Sequence, residues 1–310
     1  MREASAQTSM TACGCAEPIF YMAGLHRNRC SPDNQTSQKM PNSETKITML
    51  GTGSALVTRC FNTCFVLNAG EGDFLVDAGG GNGILAQFEK AGIDFHTLHH
   101  AFLTHGHTDH ILGMIWVVRR IAQMVYADDY SGTFTVYGHD EAIEMLDAFC
   151  RMVIPSRFYR YIGDRLIFRT VADGEEWDAV GCHFTAFDIH SDKTKQYGFN
   201  AILPDGRKLV CLGDEPYNPV TERYVKHCDW LMSEAFCLYA DRDVFKPYEK
   251  FHSTALDAGR DASKLDVKNL LLYHTEDRTL ATRAATYSAE AKTHFTGRVV
   301  VPDDLEVVTL

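Results

Sequence analysis

Several short apolar runs along the chain each end in a side chain that can carry chemistry. Residues 74–76 lead to Asp77, residues 101–103 to Thr104 and His105, and residues 209–212 to Asp214. Two further runs follow the same pattern: residues 270–273 precede His274, and residues 182–189, which partly alternate between apolar and polar, precede His190. Such runs predict buried strands. Because strand ends are where sheet proteins assemble sites, the repeated arrangement predicts one shared site.

Helical periodicity occupies the intervals between these runs. Residues 111–125 place Leu112, Ile115 and Trp116 at helical spacing, and residues 141–153 repeat apolar side chains in the same way. The apolar side chains of the first helix, Trp116 included, are expected to face the core. Helices that cover sheet faces predict an α/β or α+β sandwich.

The domain boundary is expected near Lys46, where a strand pattern begins. Residues 1–45 are rich in Ser, Thr, Asn, Gln and Pro and contain few periodic apolar positions. Because such a segment has little surface to bury, we expect a flexible or peripheral extension. Residues 46–310 are expected to form one catalytic domain.

The charge balance is acidic, and it disfavours some partners. The chain has 41 Asp and Glu against 30 Lys and Arg, which gives a net charge of −11. Such a chain repels phosphate backbones unless a basic patch or bound cations intervene. The sequence also contains no apolar stretch of bilayer length and no secretory signal pattern, so a cytoplasmic location without membrane contact is expected.

The densest chemical signal is the segment from Thr104 to His110, which reads T-H-G-H-T-D-H. It places three histidines and a carboxylate directly after a predicted strand. Imidazole nitrogens and carboxylate oxygens are ligands for zinc and similar divalent ions. A His-rich solvated turn is the alternative, but the later His and Asp at strand ends favour a metal site.

This H-x-H-x-D-H order, followed by separate His, Asp and His residues, resembles the signature of the metallo-β-lactamase-fold superfamily. The resemblance implies an αββα sandwich of two mixed sheets flanked by helices. It also implies two divalent metal ions, with zinc expected and manganese or iron as alternatives. One ion would be held by His105, His107 and His190, the other by Asp109, His110 and His274, and Asp214 would bridge them.

Further stretches are similar to the ribonuclease Z-like phosphodiesterase branch of that superfamily. They are residues 50–55, 252–258 (H-S-T-A-L-D-A) and 273–278, together with the Glu-Ala pair at Glu234. The resemblance implies that His252, oriented by Glu234, donates a proton to the leaving oxygen or stabilises phosphoryl oxygens. Asp109 joins these two as a catalytic candidate. A histidine near its ordinary pKa would suit the proton transfer. The alternative for His252 and Glu234 is a purely structural hydrogen bond.

One departure from that branch concerns the arm with which tRNA-processing members grip the tRNA. It usually lies between the ligands that correspond to His190 and Asp214, but only 24 positions separate these residues here. The sequence therefore predicts a phosphodiesterase that uses a metal-bridging hydroxide on a small or cyclic phosphodiester. The alternatives are a tRNA 3′-end endoribonuclease, a thioester or lactone hydrolase, and a non-catalytic metal-binding protein. The family resemblance also allows a homodimer.

Other polar residues are candidates for supporting roles. Asp77 could orient a ligand histidine, as carboxylates behind metal ligands commonly do, or it could cap the following helix. Tyr197, Lys193 and Lys195 follow His190 closely and are candidates for lining the substrate entrance, with the lysines reaching a phosphate. The alternative for both lysines is a solvated loop.

Overall fold

The computed structural model describes residues 44–310. The extension expected over residues 1–45 lies outside this range apart from its last two residues. The strands, numbered in chain order, are β1 (Lys46–Gly51), β2 (Cys64–Asn68), β3 (Asp73–Val76), β4 (Leu98–Leu103), β5 (Phe134–Gly138), β6 (Leu166–Thr170), β7 (Glu176–Ala179), β8 (Cys182–Asp188), β9 (Tyr197–Ile202), β10 (Lys208–Cys211), β11 (Trp230–Glu234), β12 (Asn269–Tyr273), β13 (Arg298–Val300) and β14 (Val307–Thr309). The helices are α1 (Gly83–Ala91), α2 (Thr108–Tyr126), α3 (Asp140–Val153), α4 (Ser156–Tyr159), α5 (Glu222–Val225), α6 (Arg242–Phe245), α7 (Ala255–Lys264) and α8 (Leu280–Ala291).

Within residues 44–310 the strands form two seven-stranded mixed sheets. The first has the order β14-β1-β2-β3-β4-β5-β6 and the second the order β13-β12-β11-β10-β9-β8-β7. In the first sheet β3 to β6 run parallel, and in the second β10 to β13 do. The carboxyl ends of neighbouring parallel strands meet at one sheet edge, so residues after β3, β4, β10, β11 and β12 are brought together.

Three apolar layers hold the sandwich together. The central layer lies between the sheets and contains stacked aromatic side chains such as Phe74 on Phe184, with ring centroids 4.5 Å apart. The second layer packs α1 to α4 on the first sheet, and the third packs α5, α7 and α8 on the other. The helix–sheet–sheet–helix arrangement confirms the predicted αββα fold class.

The predicted elements are confirmed, with one error of orientation on α2. The runs that end at Asp77, His105, His190, Asp214 and His274 form β3, β4, β8, β10 and β12, and the two predicted helices correspond to α2 and α3. Trp116, however, is 39% exposed, so its placement in the core was wrong. Its ring lies beside the Arg119 guanidinium, 6.0 Å from the centroid. Helical spacing marks an apolar stripe but does not show how much of its edge is covered.

None of the helices within residues 44–310 combines the length and apolar composition that crossing a bilayer requires.

Asp261 on α7 provides a test of the packing around this helix. Burial raises the pKa of the Asp261 carboxyl to about 6, and nearby Asp257 also raises it, whereas Lys264 opposes the shift. Because the folded pKa exceeds the unfolded one, the folded state loses stability as pH rises from about 4 to about 6. We expect Asp261→Asn to raise the unfolding free energy by about 1–2 kcal/mol at pH 7.5, after allowance for partial exposure.

Urea unfolding of the Asp261→Asn variant and the wild type at pH 5 and pH 7.5 measures this difference. The stabilisation should be smaller at pH 5, where more of the native carboxyl is protonated. If the stabilisation of the variant over wild type is no larger at pH 7.5 than at pH 5, the raised pKa of Asp261 is contradicted.

Candidate metal centre

The loop between β4 and α2 delivers most of the cluster of donor atoms. His105 follows β4, His107 is the N-cap of α2, and Asp109 and His110 lie in its first turn. The partial positive charge at a helix N-terminus stabilises a carboxylate in that position. The segment from His105 to His110 therefore connects a strand to a helix while presenting three imidazoles and one carboxylate.

Asp214, at the end of β10, lies at the centre of these groups. One oxygen of its carboxylate is 3.7 Å from His105 Nε2, and the other is 3.8 Å from His110 Nε2 and 3.5 Å from His274 Nε2. The donor atoms form two sets, and within each set they lie within 4.8 Å of one another. One set is His105, His107 and Asp214, and the other is Asp109, His110 and His274. The two sets are adjacent, and the Asp214 carboxylate faces both.

The chemistry of this donor set fits divalent cations. Within residues 44–310, His110 Nε2 and the Asp214 Oδ1 atom are buried and have no hydrogen-bond partner, although buried polar atoms are nearly always paired. His105 Nε2 and His107 Nδ1 face each other at 2.8 Å. A buried carboxylate among converging imidazole nitrogens needs positive charge nearby, and a metal ion supplies that charge and completes the unpaired atoms.

Asp77 fixes the orientation of two of these histidines. Its carboxylate accepts hydrogen bonds from the Thr104 N–H at 2.9 Å and the Thr104 hydroxyl at 2.8 Å, and His110 Nδ1 lies 2.7 Å away. Because the Thr104 hydroxyl donates to Asp77, its oxygen accepts from His105 Nδ1–H at 2.9 Å. Both imidazoles then carry their proton on Nδ1, which leaves each Nε2 lone pair free for a metal.

Thr63 plays the same part for His274, and the sequence analysis did not identify it. Its hydroxyl donates to the Gly53 carbonyl at 3.1 Å, so its oxygen is the acceptor for His274 Nδ1–H at 3.1 Å. The His274 Nε2 lone pair is thereby directed at Asp214. Thr63 and His274 are separated by 211 positions, so no local sequence pattern links them.

Replacing Thr63 by valine should weaken metal binding without removing a ligand. Valine keeps the shape of threonine but lacks the oxygen that accepts from His274 Nδ1–H, so the imidazole loses its fixed tautomer. We expect the zinc dissociation constant of one site to rise about 10- to 100-fold. Zinc titration against a competing chelator measures it, and Thr63→Ser, which keeps the hydroxyl, should bind zinc nearly as the wild type does. Equal affinities in the valine and serine variants would exclude this role.

His190 is the one expected ligand among the described residues that does not join the two sets. It is exposed, it follows β8, and its backbone has a left-handed φ of 58°. It lines a neighbouring cavity of about 310 Å³, which it shares with His252. The structure therefore brings together six of the seven expected ligands and places His190 beside them.

His252 lies where the loop before α7 meets the donor atoms. One ring nitrogen is within 4.8 Å of donor atoms on Asp214 and His274, so His252 is also close enough to be a ligand. Its ring stacks on Phe236 at 4.9 Å. Glu234 holds it indirectly, because one Glu234 oxygen accepts the Ser253 N–H at 2.6 Å and the other stands 3.7 Å from His252 Nδ1.

Burial shifts both of these groups toward their neutral forms. It lowers the pKa of His252 to about 3, with His274 and Lys193 adding to the effect, and it raises the pKa of Glu234 to about 8. Burial therefore moves the pKa of His252 well below the near-ordinary value that the sequence analysis expects. At neutral pH the uncharged imidazole of His252 can donate an N–H hydrogen bond, which suits stabilisation of phosphoryl oxygens.

A cavity of about 650 Å³ opens over both sets of donors. Five of the residues that line it belong to the site described above: His107, Asp109, Asp214, His252 and His274. Two lysines and three apolar side chains also line it: Lys193, Lys250, Leu56, Phe236 and Phe251. Lys193 thus lines this cavity. Tyr197 is 5% exposed on β9 and Lys195 pairs with Asp140, and neither lines this cavity.

Comparison with known proteins gives the family. The sequence pattern of the family described as Anti-Pycsar protein Apyc1 matches residues 45–254, about two thirds of the chain. The chain belongs to the Apyc1 family. The matched residues of this Apyc1-family chain include H-x-H-x-D-H, Asp214, Glu234 and His252.

Relatives and solved structures are similar to this chain along most of its length. The Apyc1-family chain is 26% identical to ribonuclease Z of Nocardia farcinica over 86% of its own length and 98% of that protein. It is similar in fold to YhfI of Bacillus subtilis, with a TM-score of 0.68 and 21% identity over 86% of this chain and 100% of the other. A diphosphatase of the PhnP family matches with a TM-score of 0.65 and 17% identity over 86% and 98%. The chain is therefore a metal-dependent hydrolase of the metallo-β-lactamase fold, in its ribonuclease Z-like branch.

Proposed function

We propose that this hydrolase is a phosphodiesterase that uses two divalent metal ions to cleave a small or cyclic phosphodiester. Zinc is the expected metal. The placement of His252 carries the proposal. The His252 ring lines the cavity within 4.8 Å of donor atoms on Asp214 and His274, and its neutral form has one N–H donor. A tetrahedral phosphoryl group held at the metals would have nonbridging oxygens within reach of such a donor, and charge builds on those oxygens in the transition state.

The roles of the chain's own residues follow from their positions. The two ions would lower the pKa of a water molecule and neutralise the phosphoryl oxygens. His105, His107, Asp109, His110, His274 and Asp214 would hold the ions, with His190 as a seventh ligand after a change of side-chain position. Asp77, Thr104 and Thr63 keep the imidazole lone pairs directed inward. Asp109, at the N-terminus of α2, also faces the cavity and would orient the attacking water.

Size and charge favour a small substrate. A cavity of about 650 Å³ lies in the range of small-ligand sites. Between His190 and Asp214 the described chain forms β9, a tight turn and β10, so no arm extends from this position. With a net charge of −11, local metal ions rather than a broad basic surface would attract the anionic ester.

Cleavage of tRNA 3′ ends is the second candidate, because the ribonuclease Z of Nocardia farcinica aligns along nearly its whole length. An RNA substrate would have to be gripped by a surface other than the missing arm. Thioester and lactone hydrolysis remain alternatives of the same fold, since fold does not fix substrate.

Parallel assays on one zinc-loaded preparation separate these candidates. A chromogenic phosphodiester, purine and pyrimidine cyclic nucleotides, a tRNA precursor, a thioester and a lactone are compared in the wild type and in His107→Ala. The proposal predicts turnover of the small phosphodiesters that the variant lacks. Faster turnover of the tRNA precursor, or of the thioester or lactone, would replace it by that alternative.

A further inference from the structure

Lys193 is a cation held against the metal centre by a carboxylate that is not itself one of the proposed ligands. Its side chain is 16% exposed and lines the cavity together with Asp214, His252 and His274. Its Nζ lies 3.0 Å from an oxygen of Glu215, whose side chain is 7% exposed. A lysine so close to a metal site is unusual, because it repels the ions and is costly to bury without a partner.

Glu215 anchors the whole loop that carries Lys193. The same Glu215 oxygen accepts hydrogen bonds from the Ser191 hydroxyl at 2.9 Å and from Gln196 Nε2 at 3.3 Å. The loop is closed by the Ile189 N–H donating to the Gln196 carbonyl at 3.0 Å, and the Lys193 N–H donates to the Ser191 hydroxyl at 3.1 Å. Glu215 therefore compensates the buried ammonium and fixes the direction of the side chain.

The donor count of the ammonium group leaves capacity for a ligand. A lysine ammonium has three N–H donors, and Glu215 is its hydrogen-bond or ion-pair partner among residues 44–310. Because Lys193 lines the cavity, the N–H donors that Glu215 does not use are available to a ligand there. Lys195, two residues on, differs because it pairs with Asp140 outside the cavity.

We infer that Lys193, positioned by Glu215, binds a nonbridging oxygen of the anionic substrate and so selects a phosphate ester over a neutral ester at this centre. The inference rests on the proposed phosphodiesterase function. The ammonium would add a charge-assisted hydrogen bond to an oxygen of the bound phosphoryl group. A lactone or thioester carbonyl carries no anionic oxygen, so it would gain less from this ammonium. Glu215 is a positioning residue, since it acts through Lys193.

The experiment compares Lys193→Met, Lys193→Arg and Glu215→Gln in the zinc-loaded protein. Lys226→Met is the matched control, because Lys226 also pairs with a carboxylate, Glu222 at 2.8 Å, but on the surface away from the cavity. Three quantities are measured: bound zinc, the KM and kcat for the chromogenic phosphodiester, and the dissociation constant of inorganic phosphate.

We expect Lys193→Met to retain zinc and to raise both KM and the phosphate dissociation constant about 10- to 100-fold, the range of a charge-assisted hydrogen bond. Lys193→Arg should recover part of the phosphate affinity, Glu215→Gln should lose less than Lys193→Met, and Lys226→Met should match wild type. Unchanged phosphate affinity in Lys193→Met would overturn the inference, as would a loss of zinc that accounts for the whole effect.

Failure of the proposed function gives a different pattern. If the wild type cleaves no phosphodiester, that function fails, but the phosphate dissociation constants of wild type and Lys193→Met still test the anion site. If the wild type cleaves phosphodiesters and Lys193→Met does so with the same KM, the function stands and the assignment of Lys193 is wrong.

Discussion

Replacing Asp214 by alanine is expected to remove metal binding and turnover together. This carboxylate faces the Nε2 atoms of His105, His110 and His274 at 3.5–3.8 Å. Burial opposes ionisation of the Asp214 carboxyl, but His105, His274 and His110 together lower its pKa well below its usual range. Without it, Asp109 would be the one carboxylate left among the six clustered ligands to balance the charge of the metal ions.

The expected loss of turnover is at least about 10³-fold, because metal stabilisation of transition-state charge contributes several kcal/mol. Zinc content by elemental analysis should fall well below that of wild type. Asp243→Ala is the matched control, since the Asp243 side chain is 81% exposed on α6. Wild-type zinc content and turnover in Asp214→Ala would exclude Asp214 as the shared ligand, provided that its far-ultraviolet circular dichroism matches wild type.

The second large effect is expected for His252→Ala. This change removes an N–H donor that lines the cavity but leaves the six clustered donor residues in place. Turnover of the phosphodiester should fall about 10²- to 10⁴-fold, the range of a positioned acid or hydrogen-bond donor. Zinc content should stay near that of wild type, which separates a role toward substrate from a role as ligand.

Two comparisons refine this test. His252→Gln keeps an N–H donor and should recover part of the lost turnover, whereas His294→Ala, on an exposed residue, should have no effect. Because burial lowers the pKa of His252 to about 3, its imidazole is neutral from pH 6 to pH 9. The ratio of wild-type to His252→Ala turnover should therefore be constant over this range. A loss of half or more of the zinc would show that His252 is a ligand instead.

Strand ends are the part of the site that the sequence predicts best. Residues after β3, β4, β10 and β12 are marked by apolar runs that end in polar side chains, and parallel strands in one sheet bring such ends together. The periodicity also specifies α2 and α3, because an apolar stripe repeats along each. The pattern cannot show which residues at the edge of the apolar stripe are buried by neighbouring elements. The exposure of Trp116 is an example.

Contacts between distant segments account for what the sequence does not show. Thr63 orients His274 across 211 positions, and Glu215 anchors Lys193 across a loop, so neither relation has a local signal. The low pKa of His252 is a consequence of burial, which appears only once Phe236 and Glu234 pack around it. His190 has the expected position in the sequence, but the direction of its side chain is set by the conformation of its loop, which the sequence pattern does not show.

Turnover during stepwise zinc addition to chelator-treated protein tests the central claim most directly. Bound zinc and hydrolysis of a chromogenic phosphodiester are measured on the same samples. Two adjacent donor sets, both faced by the Asp214 carboxylate, predict that two ions bind per chain and that turnover appears only as the second site fills. Full phosphodiester turnover after complete removal of metal would contradict this account, and so would two bound ions with no turnover of any phosphodiester.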